Sequence, residues 1–116
     1  MTGSARRAVF LDRDGTLNED RSYITRCEDF QLLPGVGEAL CLLRDAGFAC
    51  VVVTNQSAVG RGMMTEADLD AIHSEMHRQL QPFHFALDGI YACTHAPASA
   101  DKLVVEHPDR KPAPGM

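Results

Sequence analysis

The sequence lacks three features that would assign it to whole classes of protein. Its 116 residues contain no run of basic side chains, and 16 acidic against 11 basic residues give a formal charge of −5 at pH 7. A long polyanion such as nucleic acid is therefore repelled on average, whereas a small phosphorylated molecule is not excluded. The apolar stretch before Asp12 is too short for a signal peptide or a membrane span, so we expect a cytoplasmic protein without a membrane partner.

The four cysteines also lack the spacing of a disulfide framework. They are scattered at positions 27, 41, 50 and 93, and two of them lie in apolar segments, which favours a reducing compartment. The chain has no internal repeat. With 45% hydrophobic residues it is expected to form one globular domain, residues 1–116, whose oligomeric state the sequence does not indicate.

Short apolar runs predict three strands. Residues 8–11 and the valine-rich residues 48–54 are typical of interior strands, and residues 87–94 predict a third. Helical patterns separate these runs. Strands that alternate with helices indicate an α/β fold with a Rossmann-like parallel sheet and flanking helices, in which ligands gather at the carboxyl ends of the strands.

Two helices are predicted between the strands. The first has apolar residues at helical spacing, with Pro34 near its start and Gly47 as its C-cap. The second begins after Thr65, a good N-cap with Asp68 three residues further on. Its apolar residues lie on one face and are expected to enter the core.

The segment FLDRDGTLNED places two acids at the end of the first strand. Asp12 and Asp14 are two residues apart, so the pleat aims both toward one side of the sheet, and Gly15 allows a sharp turn. A divalent cation, most simply Mg²⁺, would remove their mutual repulsion. One carboxylate could then attack phosphorus while the other transfers a proton. The alternative is a plain acidic turn, because the same pattern also occurs in calcium loops.

Two further segments carry groups suited to phosphate. In TNQSAVGRG, Thr54 and Ser57 offer hydroxyls and Asn55 an amide, although any polar strand-to-helix loop could have this composition. In DRKPAPGM, Arg110 and Lys111 lie next to proline and could bind phosphate, or could simply be solvated.

In this order, FLDRDGTLNED, VVVTNQSAVGRG and RKPAPGM resemble the motifs of the haloacid-dehalogenase-like phosphatases. Within that family, the three motifs most resemble the branch that contains the heptose bisphosphate and histidinol-phosphate phosphatases. The resemblance implies an aspartyl-phosphate on Asp12, a general acid/base at Asp14, Mg²⁺ at both aspartates with a backbone carbonyl from Asp14, and phosphoryl-group contacts from Thr54 and Lys111. It further implies these substrate-binding residues: Asp20, Arg21, Ser22, Tyr23, Asn55, Gln56, Ser57 and Arg110.

The implied ligand is a small phosphorylated metabolite of carbohydrate metabolism. The resemblance indicates a sugar bisphosphate, D-glycero-D-manno-heptose 1,7-bisphosphate, with histidinol phosphate as the alternative. A domain of the same fold that binds phosphate without turnover is a third possibility. The family's later acidic motif is not found before Met116, so the domain is expected to be truncated after the third motif and to lack the C-terminal strands, which leaves the activity of the 116-residue chain open.

A second metal site is also implied by the resemblance. This branch often carries a loop pinned by zinc, with a Cys-x-His pair followed by a Cys-x-Cys pair. Cys93 and His95 match the first pair, whereas His107 and Asp109 occupy the positions of the second. These four residues predict a structural zinc site, with a metal-free loop as the alternative.

One further histidine pair resembles a metal motif. His73 and His77 lie four residues apart in HSEMH, but the pattern is not HExxH and no third ligand is in view. We therefore expect both to flank the apolar stripe of the second helix.

Overall fold

A computed structural model describes residues 7–20 and 23–94. Within these ranges three strands form one parallel sheet in the order β1–β2–β3: β1 is Arg7–Leu11, β2 is Phe48–Asn55 and β3 is Gly89–Cys93. Each parallel pair requires a long crossover, and helices supply it. The predicted α/β architecture is confirmed.

Helices separate the strands along the same part of the chain. They are α1 at Val36–Asp45, the short α2 at Ser57–Gly60 and α3 at Glu66–Leu80, with single 3₁₀ turns at Cys27–Asp29 and Gln81–Phe83. None of the helices in residues 7–20 and 23–94 has the length and apolar character needed to cross a bilayer.

The end of α1 differs by one residue from the prediction. Ala46 is the C-cap, and Gly47 follows it with a left-handed φ of 95°. Its N–H donates to the Arg44 carbonyl at 2.9 Å, which satisfies one of the last carbonyls of the helix. Glycine suits this position because it has no Cβ to clash in the left-handed region.

The core lies between the sheet and the helices. Alternate residues of β2, namely Cys50, Val52 and Thr54, are buried because strand side chains point to opposite faces in turn. The residues of α1 and α3 that complete the core are Val36, Leu40, Leu69, Ile72, Met76 and Leu80. Their burial confirms the predicted apolar stripe of the second helix.

The apolar run at residues 8–11 forms β1, which lies at an edge of the part of the sheet that the structure describes. There β1 pairs with β2 alone, and Phe10 is 65% exposed. The apolar composition of a strand indicates that it can be buried, but the neighbours it pairs with are set by topology.

The register of the sheet brings the strand ends together. Leu11 is level with Val52, and Asn55 is level with Cys93. The segments that follow β1 and β2 therefore leave the sheet at its carboxyl edge, where the acidic segment after β1 can meet the polar segment after β2.

The capping box of α3 provides a stability prediction. The Thr65 hydroxyl accepts from the Asp68 N–H at 3.1 Å, and the Asp68 carboxylate accepts from the Thr65 N–H at 2.9 Å. Thr65→Ala removes one of these bonds and should lower the free energy of unfolding by about 1 kcal/mol in urea denaturation. Ser74→Ala, an exposed change within the same helix, is the control and should cause no loss. Equal midpoints for Thr65→Ala and the parent chain would contradict the assigned cap.

Candidate active site

The loop after β1 is folded around one backbone carbonyl. The Arg13 carbonyl accepts from the N–H groups of Thr16, Leu17 and Asn18 at 3.1, 2.8 and 3.3 Å. Gly15 makes the turn possible with a left-handed φ of 83°. The loop leaves Asp12 exposed, with one carboxylate oxygen accepting from the Arg13 N–H at 2.9 Å.

The Asp14 carboxylate is held from several directions. Its Oδ1 accepts from Arg13 Nε and Nη2 at 3.1 and 2.9 Å and from Asn18 Nδ2 at 2.9 Å. Its Oδ2 accepts from Gln56 Nε2 at 3.0 Å. Burial raises the pKa of Asp14, but the Arg13 charge and the hydrogen bonds from Asn18, Arg13 and Gln56 outweigh it and hold that pKa below its ordinary value. The carboxylate is therefore ionised at neutral pH.

One amide joins the ends of the first two strands. Gln56 Nε2 lies 2.8 Å from Thr54 Oγ1 as well as 3.0 Å from Asp14 Oδ2. Thr54 and Gln56 are 1% and 5% exposed, so the contact between them is sheltered from water, whereas the contact with Asp14 is partly buried. The structure thus brings three of the predicted site residues together, namely Asp14, Thr54 and Gln56. The side-chain nitrogen of Gln56 is used in hydrogen bonds to the other two.

Sequence reasoning missed the side chains beneath this site. Arg13 is completely buried, its guanidinium carbon lies 5.8 Å from the centre of the Phe30 ring, and its Nη1 lies 3.2 Å from His73 Nε2. Asn18 is also completely buried. The signal was a lone cation between two acids, together with a histidine beside an apolar stripe, but neither pattern shows that the two side chains meet.

His73 is a neutral base in this setting. Burial lowers its pKa, the Arg13 charge lowers it further, and the result is about 4 against an ordinary 6.5. Because an arginine nitrogen can only donate, His73 Nε2 must accept and the ring hydrogen must be on Nδ1. The contact with Arg13 explains why a histidine lies in this buried position, and a metal ion is not needed to explain it.

The other predicted site residues divide into two groups. Asp20 and Tyr23 are exposed, Asn55 and Ser57 are half-buried, and Cys93 is buried with its carbonyl accepting from the Gln56 N–H at 2.7 Å. Within residues 7–20 and 23–94, no group of three His, Cys, Asp or Glu side chains is arranged to hold a metal ion. The remaining predicted residues lie outside the described ranges: Arg21, Ser22, His95, His107, Asp109, Arg110 and Lys111.

The chain resembles known proteins over nearly its whole length. No protein-family model matches the chain. Over 112 residues it is 43% identical to D-glycero-beta-D-manno-heptose-1,7-bisphosphate 7-phosphatase of Haemophilus ducreyi, a match that covers 96% of this chain and 62% of the relative.

Two solved structures are also similar. D,D-heptose 1,7-bisphosphate phosphatase from B. bronchiseptica, complexed with magnesium and phosphate, gives a TM-score of 0.81 at 35% identity, covering 94% of this chain and 58% of that one. A structure from Mesorhizobium loti, described as that of a HAD-like phosphatase, gives 0.84 at 36% identity, covering 96% and 54%.

These matches confirm the resemblance to the haloacid-dehalogenase-like phosphatases drawn from the three motifs. Nearly the whole length of the chain is similar to D-glycero-beta-D-manno-heptose-1,7-bisphosphate 7-phosphatases of bacteria. The chain spans 62% and 58% of the length of the first two curated relatives that it matches.

The lowered pKa of His73 predicts how stability depends on pH. Below pH 6.5 the unfolded chain binds a proton at this histidine, whereas the folded chain does not until pH falls to about 4. Its contribution to stability is therefore complete above pH 6.5 and is lost as pH falls through this window, by about 2 kcal/mol between pH 7 and pH 4.5. Urea denaturation at both pH values should show a smaller loss for His73→Gln than for the parent chain. Because the carboxylates titrate in both proteins, parallel pH curves would contradict a buried neutral His73.

Proposed function

We propose that this protein is a Mg²⁺-dependent phosphomonoesterase that hydrolyses D-glycero-D-manno-heptose 1,7-bisphosphate through an aspartyl-phosphate. The observation that carries the proposal is the hydrogen-bonded chain from Asp14 through Gln56 to Thr54, which joins the first two phosphatase motifs at the carboxyl edge of the sheet. The names of the similar bacterial relatives support the substrate. Histidinol phosphate is the alternative substrate.

The proposed reaction has two steps. In the first, an Asp12 oxygen attacks phosphorus, the bond from phosphorus to the ester oxygen breaks, and the leaving oxygen takes a proton from Asp14. In the second, water attacks the aspartyl-phosphate, Asp14 takes a proton from that water, and inorganic phosphate leaves with Asp12 restored. The lowered pKa of Asp14 suits the second step, and the first requires Asp14 to be protonated when the substrate is bound.

The oxygen donors present fit a magnesium ion. Mg²⁺ prefers carboxylate, carbonyl and water oxygens, and Asp12 and Asp14 would hold it. Oδ1 of Asp14 already accepts three hydrogen bonds, which favours the backbone carbonyl of Asp14 as its contribution. When bound, Mg²⁺ would neutralise charge on the phosphoryl group.

Thr54 and the basic pair complete the proposed phosphate site. Gln56 donates to Thr54 Oγ1, so the hydroxyl hydrogen is directed to another acceptor, such as a phosphoryl oxygen. Lys111 would neutralise the phosphoryl charge and Arg110 would contact the substrate, as the resemblance implies.

A reducing location suits the thiols. The cysteines at positions 27, 41, 50 and 93 do not form disulfides in the structure. Structural disulfides persist in oxidising compartments, so a chain whose cysteines are not cross-linked suits the cytoplasm. A sugar bisphosphate substrate would place the reaction in carbohydrate metabolism.

The role of Asp12 is tested by Asp12→Asn. The amide is nearly the same size but is a far poorer nucleophile, so phosphate release from the heptose bisphosphate should disappear while the thermal unfolding midpoint changes little. Turnover near the parent rate would exclude Asp12 as the nucleophile. The same assay with histidinol phosphate distinguishes the two substrates, and the full gene product should be used because the chain spans only part of its relatives.

Asp14→Asn should give a different result in that assay. The substitution removes the acid/base group without removing the nucleophile, so we expect turnover to fall by about 10²- to 10⁴-fold rather than to vanish. An unchanged rate and pH profile would leave Asp14 with a structural role only.

We also propose a structural zinc site at Cys93, His95, His107 and Asp109. Cys93 is buried at the end of β3, and its carbonyl accepts from the Gln56 N–H, so one of the four proposed ligands lies next to the segment that carries Gln56. Protein purified without chelator should contain about one zinc per chain, and Cys93→Ser should release most of it. Cys27→Ser, at a thiol outside the proposed set, should retain the zinc. Absence of zinc from the parent protein would favour the metal-free loop.

A further inference from the structure

The buried cation of Arg13 needs to be held as well as neutralised. A guanidinium removed from water is strongly disfavoured unless its N–H groups find partners. Nε and Nη2 of Arg13 both donate to Asp14 Oδ1, at 3.1 and 2.9 Å. The other terminal nitrogen, Nη1, points to helix α3, where His73 Nε2 lies 3.2 Å away.

The contact between Arg13 and Asp14 does not by itself fix either side chain. The two residues are neighbours in one loop, and the bonds that Asp14 accepts from Asn18 and Gln56 do not reach the guanidinium. Two groups from elsewhere limit the guanidinium plane, namely the His73 ring and the Phe30 ring, whose centre is 5.8 Å from the guanidinium carbon. A planar fork transmits its orientation to a carboxylate because its N–H directions are rigid.

Both contacts that restrain the Arg13 guanidinium depend on helix α3. His73 is on the helix itself, and Gln79 ties the segment that carries Phe30 to it. Gln79 Nε2 donates to the Phe30 carbonyl at 2.8 Å, and Gln79 Oε1 accepts from the Leu32 N–H at 3.0 Å. The position of α3 therefore sets the positions of His73 and Phe30, the two side chains that restrain the Arg13 guanidinium.

We propose that His73 is a positioning residue for the acid/base group: its Nε2 fixes the Arg13 guanidinium, which in turn fixes the Asp14 carboxylate. His73 lies 60 residues from Arg13 in the sequence and outside the three phosphatase motifs. The inference rests on the proposed function, because Asp14 has an acid/base role only there. It predicts that His73 affects the chemical step without contacting the substrate.

Two substitutions separate this role from simple filling of the core. His73→Leu keeps an apolar side chain of similar bulk but removes the acceptor. His73→Gln offers a carbonyl oxygen at about the reach of Nε2 and can again accept from Arg13. A residue that only fills space should tolerate leucine at least as well as glutamine. His77→Leu, one turn further along α3, is the matched control.

The kinetic experiment measures phosphate release from the heptose bisphosphate by the full gene product at saturating Mg²⁺. We expect His73→Leu to lower kcat about tenfold or more with KM within about twofold, because misplacement of a catalytic group affects the transition state more than binding. His73→Gln should recover most of the parent kcat, and His77→Leu should match the parent. Equal kcat values for the leucine variant and the parent, or equal losses for the leucine and glutamine variants, would overturn the proposal.

A second measurement does not depend on activity. The Arg13 Nε–H signal in a ¹H–¹⁵N spectrum should exchange slowly with water in the parent chain and in His73→Gln, and much faster in His73→Leu. Equal protection in all three proteins would overturn the proposal even if the enzyme is active. If the parent released no phosphate from any phosphorylated substrate, the proposed function would fail, whereas loss of Nε–H protection in His73→Leu alone would still support the link from His73 to Asp14.

Discussion

The ion pair between the buried Arg13 and the half-buried Asp14 is the constraint on which the site depends. A charged residue with no exposed surface survives in a fold only when several partners compensate for lost water, and here these are a carboxylate, an imidazole and an aromatic ring. Each partner comes from a different part of the chain. The loop after β1 is therefore attached to α3 and to the 3₁₀ segment before α1, although its backbone hydrogen bonds are mostly local.

Asp14, the acidic member of this ion pair, is also linked to the end of β2. Parallel pairing places the ends of β1 and β2 side by side, but side chains must still bridge the gap between them. Gln56 does so, since its amide contacts the carboxylate after β1 and the hydroxyl at the end of β2. Asp14 is consequently held by Arg13 on one oxygen and by Gln56 on the other, and its direction is set by two independent elements.

Local patterns predicted much of the fold. The valine-rich strand β2 and the capping box of α3 were correctly predicted, because a run of β-branched residues and a Thr-x-x-Asp start each encode their own structure. The pairing of β1 could not be predicted from its own residues, since the neighbours of a strand depend on the rest of the topology. The burial of Arg13 was missed for a similar reason: it requires His73, which is adjacent in space and remote in sequence.

The two aspartates face different environments although only one residue separates them. Asp12 is exposed and accepts the Arg13 N–H, whereas Asp14 is half-buried and accepts from three side chains. In the proposed mechanism these environments match different requirements. A nucleophile must approach phosphorus closely, which exposure permits, and an acid/base group must remain at a fixed distance from the leaving oxygen and later from water, which the network around Arg13 enforces. Repulsion between the neighbouring carboxylates is reduced by the Arg13 cation, which lies between them in the sequence and pairs with Asp14.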